Sequence, residues 1–142
     1  MRPLKVLILQ DNPFQLTVLH QMLNAFRIFD VLTAQSVASA RQSLVRRGAI
    51  DVAICELFRE ELPGLELIRE LAIKQEAQAL IMLSCAPSHV IETAMSLARE
   101  EGLKVLGCLP NPVTPQGLEL LLASYQTPSF RSCGDISYDM AT

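Results

Sequence analysis

The sequence predicts an open α/β fold in which helices cover both faces of a parallel sheet. Two observations carry this. Five short apolar runs alternate with five stretches of helical periodicity between residues 4 and 125, and that alternation marks successive βαβ units. The runs themselves, above all Leu4-Lys5-Val6-Leu7-Ile8-Leu9 and Val52-Ala53-Ile54-Cys55, are near-continuous in apolar residues. Strands buried on both faces read this way, whereas a half-exposed strand alternates.

The first strand, residues 4–9, leads into Gln10-Asp11-Asn12-Pro13, where Asp11 or Asn12 can cap a helix and Pro13 suits its first turn. Leu16, Leu19, Leu23 and Phe26 recur at helical spacing, so this helix extends to about Phe26. Phe29 to Thr33 forms a weaker second strand. Ser36 caps a helix from Val37 to about Arg47, with Val37, Ala40 and Leu44 as its inner stripe. The third strand, Val52 to Cys55 within Asp51–Leu57, ends in Glu56. A loop from Phe58 to Gly64 follows, because Pro63-Gly64 punctuates the chain. The third helix then runs from Leu65 to about Gln75. Leu80 to Leu83 is a fourth strand ending in Ser84, and Pro87 opens a helix that Gly102 stops after Glu101. Leu103 to Leu109 is the fifth strand, closed by Pro110-Asn111-Pro112. Thr114 caps the last helix, Pro115 takes its first position, and Leu118, Leu121, Leu122 and Tyr125 line one face. Residues 1–125 form one domain; Gln126 to Thr142, rich in Ser, Gly, Pro and Asp, reads as a flexible tail or linker.

Composition narrows the function. A chain of 142 residues, half of them hydrophobic, can bury one sizeable core. A net charge of -3 gives no basic face for nucleic acid, and no apolar run is long enough to span a bilayer. Cys55, Cys85, Cys108 and Cys133 show neither metal-ligand nor redox spacing, which points to a reduced, cytoplasmic protein. His20 and His89 have no Cys or acid at ligand spacing, no Gly-rich phosphate loop follows the first strand, and Ser84-Cys85 lacks a His partner. Catalysis is therefore not expected.

Ligands of open α/β folds sit beyond the carboxyl ends of the strands. Here those ends carry Gln10-Asp11, Glu56, Ser84 and Asn111-Pro112. A sheet ordered 2-1-3-4-5 would bring all four to one mouth. This set of residues, across residues 4 to 125, resembles the receiver domain of two-component response regulators, a flavodoxin-like (βα)5 three-layer sandwich. The resemblance implies an acidic magnesium-binding pair after the first strand and a phosphorylated Asp at the end of the third. It also implies a Thr or Ser after the fourth strand and a Lys-Pro after the fifth, both holding the phosphoryl group.

This chain keeps part of that pattern. Asp11 matches the second acid of the pair and Ser84 the hydroxyl, while Gly64 keeps its expected place. Gln10 stands for the first acid, Glu56 for the phosphoacceptor, and Asn111, before Pro112, for the Lys. Glu60 stands where the family usually has Pro, and Cys108 where a Tyr or Phe commonly reports activation. Magnesium wants oxygen ligands in near-octahedral geometry, so losing a carboxylate at residue 10 leaves Asp11 a weak ligand. Without Lys, the transferring phosphoryl group lacks its fixed cation. Glu56 is one methylene too long, and a misplacement of about an ångström can cost ~100-fold. One acid and one base have gone together, so the formal charge of the site is unchanged. With no metal between them, Asp11 and Glu56 would repel and one would titrate high, with Arg59 as a conceivable counter-ion.

The expectation is a pseudo-receiver, not phosphorylated, with magnesium bound weakly at most and no other cofactor. It would regulate a fused output domain or a partner protein by contact, with Glu56 as a built-in phosphoryl mimic or a tolerated relic. Gln10 to Gln15 looks somewhat like receivers fused to EAL-type cyclic-di-GMP phosphodiesterases. Met95 and Leu120 could belong to a homodimer surface on the fourth helix, fifth strand and fifth helix. Two alternatives stay open: a phosphorylatable switch that uses Glu56, and a purely structural dimerisation module.

Overall fold

The structure, a computed structural model, describes residues 4–56, 61–83, 88–110 and 113–126, with the side chains of 61–66, 88, 90 and 126 left aside. Ten elements alternate as the sequence predicts. They are β1 (Lys5–Leu9), α1 (Pro13–Ala25), β2 (Asp30–Ala34), α2 (Val37–Arg47) and β3 (Ile50–Glu56). α3 (Glu61–Ile73), β4 (Ala77–Leu83), α4 (Ser88–Glu100), β5 (Lys104–Leu109) and α5 (Pro115–Gln126) complete them. The five strands are parallel in the order β2-β1-β3-β4-β5, the flavodoxin-like topology expected.

The period-2 geometry of a strand explains the apolar runs, because each strand feeds a core on either side. Leu7 and Leu9 of β1, Ala53 and Cys55 of β3, and Leu80 and Met82 of β4 join Leu44 of α2, Leu67 and Leu71 of α3 and Ala98 of α4. Val6 and Ile8, Val52 and Ile54, and Ile81 and Leu83 turn the other way, onto Leu19 and Leu23 of α1 and Leu118 and Leu122 of α5. No aromatic side chain is needed at the centre of either layer.

The caps follow the sequence closely. Asn12, of the two residues considered, is the α1 N-cap, its side chain accepting from Gln15 N–H at 3.0 Å. Ser36 accepts from Ser39 N–H at 3.1 Å and Thr114 from Gly117 N–H at 3.1 Å.

Two boundaries are corrected. The expected loop to Gly64 is shorter, since α3 begins at Glu61 and takes in Pro63 and Gly64. Proline is tolerated there because the first-turn N–H groups have no intrahelical acceptor to lose. β4 starts at Ala77 and not at Leu80. Its first residues lack a strand signal of their own but pair with β3, Ile50 opposite Ala77 and Val52 opposite Ala79, so pairing overrides propensity. The expected tail, apart from the end of α5 at Gln126, lies outside the described residues.

Candidate functional site

The carboxyl ends of β1 and β3 form the centre of the site. These strands are neighbours with Leu9 opposite Cys55, so Gln10 and Glu56 come next on each and, by strand alternation, point to the same side of the sheet. Gln10 is fixed from two directions. Its backbone N–H donates to the Ala34 carbonyl at 3.0 Å, and its side-chain Oε1 accepts from the Asn12 N–H at 3.1 Å. The residue is 1% exposed. Since Oε1 is occupied by Asn12, the Nε2 donor is the atom turned into the site, where it has no hydrogen-bond partner.

Glu56 is half-buried, and its Oε1 is also enclosed without a partner. Burial first, and the nearby Asp11 carboxylate second, push its proton affinity above the ordinary carboxylate range. The Gln10 amide opposes that rise, although it lies too far away or too poorly aligned to close a direct hydrogen bond. The expectation that one acid of the Asp11–Glu56 pair titrates high is met at Glu56, with desolvation as the larger cause. Asp11 itself is exposed.

Gln10, Asp11 and Glu56 are thus brought together. Ser84, Asn111, Pro112, Arg59 and Glu60 lie outside the described residues, as do Cys85 and Cys133. Gly64 lies within α3.

The cation that the receiver resemblance implies does not fit the described donor set. Magnesium binds oxygen, yet Gln10 presents an NH2 group to the site because its oxygen already serves Asn12. Reversing the amide would strand the Asn12 N–H. Among the described residues no cluster of three or more His, Cys, Asp or Glu could hold a metal ion.

Cys108 is half-buried against the core formed with α2, α3 and α4, and burial raises its thiol pKa. A bulge puts it there. Leu80 pairs with Val105 but Ile81 pairs with Gly107, so the extra residue Leu106 reverses the alternation along the rest of β5. Val105 and Cys108 consequently share one face, Leu106 and Leu109 the other. An isolated Gly inside a strand was the available signal for this.

Of the two surface candidates, Leu120 is 71% exposed. Met95 is half-buried and packs partly on the core. α4 turns it inward one residue after the fully buried Ala94. Sequence reasoning missed Asp51. This acid is 3% exposed near the start of β3, at the opposite end of the strands, where its Oδ2 accepts from Lys5 N–H at 2.8 Å and its Oδ1 from the Tyr125 hydroxyl at 3.4 Å.

Comparison with known proteins agrees with this topology. The chain is 29% identical over 125 residues to the cyclic di-GMP phosphodiesterase RocR of Pseudomonas aeruginosa, a match covering 88% of this chain and 32% of that protein. The chain therefore spans about a third of the length of the curated relative it matches. No family model matches. Among solved structures, a response regulator receiver domain protein from Clostridium thermocellum is 26% identical with a TM-score of 0.69, over 89% of this chain and 97% of that one. A response regulator from Colwellia psychrerythraea is 24% identical with a TM-score of 0.71, over 88% and 98%. The signal receiver domain of an HD domain-containing protein from Pseudomonas fluorescens Pf-5 gives 21% and 0.71, over 88% and 95%. The chain has the fold of response regulator receiver domains. Among the described residues, no helix is long and apolar enough to cross a membrane.

Proposed function

We propose that this chain is an atypical receiver domain of a two-component signalling protein that regulates by protein contact and is not switched by phosphorylation. The observation that carries this reading is the inward-facing Nε2 donor of Gln10 beside Glu56, where phosphoryl transfer needs a cation-binding oxygen. Three sequence features point the same way: the length of Glu56, the replacement of Lys by Asn111, and the replacement of the switch aromatic by Cys108. The domain itself is read as a non-enzymatic, cytoplasmic module.

The similarity to RocR supports a particular setting. We infer that the output under control is a cyclic di-GMP phosphodiesterase, either carried on the same polypeptide or bound as a partner. Leu120 supplies one exposed apolar contact on α5 for that output or for a second copy.

A test is titration with magnesium and beryllofluoride, which mounts a phosphoryl-like group on an acceptor carboxylate, followed by backbone amide spectra. No saturable change is expected at the strand exits. Saturable shifts centred on Glu56, absent in Glu56→Ala, would instead establish a working phosphoacceptor.

A further inference from the structure

Gln10 and Glu56 each keep one buried polar atom without a partner, and the two are complementary: Nε2 is a donor and Oε1 an acceptor. Leaving both unpaired costs the desolvation of each, and buried polar atoms in folded proteins are rarely left so. The β1–β3 register puts the two side chains next to each other on the same side of the sheet. The Glu56 terminal torsion is broad, so its carboxylate can turn toward Gln10 at little cost. Gln10 cannot answer by reversing its amide, because Oε1 holds the Asn12 N–H at 3.1 Å. Asn12 in turn caps α1 through Gln15.

We propose that Gln10 is a positioning residue for Glu56: its amide donates to the Glu56 carboxylate and closes the site without a divalent cation. One side chain then ties the start of α1 to the exit of β3, where a cation would otherwise gather the acids of both strands. This rests on the reading that Glu56 acts unphosphorylated. Asp11, exposed beside the pair, is left facing solvent.

The side-chain amide signals of Gln10, assigned by their loss in Gln10→Leu, report this directly. In the natural protein one amide proton is expected to be displaced downfield and to exchange roughly tenfold more slowly than those of exposed glutamines, the factor of a typical net hydrogen bond. The displacement should vanish in Glu56→Leu and persist in Glu56→Gln, which keeps an acceptor at that position. Millimolar magnesium chloride should leave the signals unmoved in the natural protein and shift the spectrum saturably in Gln10→Asp. Gln10 signals indifferent to Glu56→Leu, or saturable magnesium shifts at residues 10 and 56 of the natural protein, would overturn the proposal. A phosphoryl adduct on Glu56 with the Gln10 signature intact would instead overturn only the functional reading on which it rests.

Discussion

At the scale of single residues, Glu56 is the side chain of the candidate site whose proton affinity departs from its ordinary state. Burial and the Asp11 charge hold its pKa above the usual 4.5, so the folded protein binds that proton more tightly than the unfolded chain. The stability this contributes is complete below the unfolded value and is lost as pH rises through the folded one. Glu56→Gln has no such proton to lose. Its stability relative to the natural protein should therefore increase as pH rises from the acid range toward neutrality, then level off. Parallel urea unfolding curves across that range check this; a constant difference would contradict the assigned environment. The residue types at positions 10, 11 and 56 were legible in the sequence, as was the conflict between two acids without a metal. The direction of the Gln10 amide was not, because it depends on a hydrogen bond to Asn12 that no spacing rule encodes.

At the scale of elements, helix starts were easier to read than helix ends. Asn12, Ser36 and Thr114 are side-chain caps, and their residue types announce them. Only one of three similar helix ends announces itself. After α4, Gly102 takes a positive φ of 104° and Leu103 N–H donates to the Ala98 carbonyl at 3.0 Å. After α1 and α3 the same role falls to Arg27 (φ 66°) and Gln75 (φ 56°), with Ile28 N–H reaching Leu23 and Glu76 N–H reaching Leu71, both at 2.9 Å. A side chain in the left-handed region carries a steric penalty that glycine avoids. Gln75→Gly is thus expected to stabilise the protein by roughly 0.5–1 kcal/mol despite the greater freedom of the unfolded glycine. A lowered denaturation midpoint would show that the Gln75 side chain does more than occupy the turn. The early start of α3 and the bulge of β5 escaped pattern reading. The first turn of α3 tolerates the proline that the pattern read as a stop, and the bulge is set by pairing with β4 and not by local propensity alone.

Across the whole molecule, the two-sided apolar strands made the fold legible before any contact was known, and they place the carboxyl ends of β1 and β3 side by side. The opposite end of the strands is secured by Asp51, which joins β1 to β3 through Lys5 and reaches α5 through Tyr125. At the head of an apolar run it looks like a boundary acid, and nothing local reveals its burial. Asp51→Ala removes the acceptor of the Lys5 N–H and is expected to cost about 1–3 kcal/mol. Tyr125→Phe, which removes a bond already 3.4 Å long, should cost well under that. Equal losses in urea unfolding would mean that the hydroxyl, and not the backbone contact, dominates this end of the sheet.

The central claim is that the receiver fold has been kept here while phosphoryl chemistry has been given up. Intact mass after incubation with magnesium and acetyl phosphate tests it most directly, with a Glu56→Asp, Asn111→Lys double variant alongside. The expected result is no adduct on the natural protein. An adduct on the double variant would show in addition that the fold still holds the site's geometry. A phosphoryl adduct on the natural protein that disappears in Glu56→Ala would contradict the claim and make Glu56 a working phosphoacceptor.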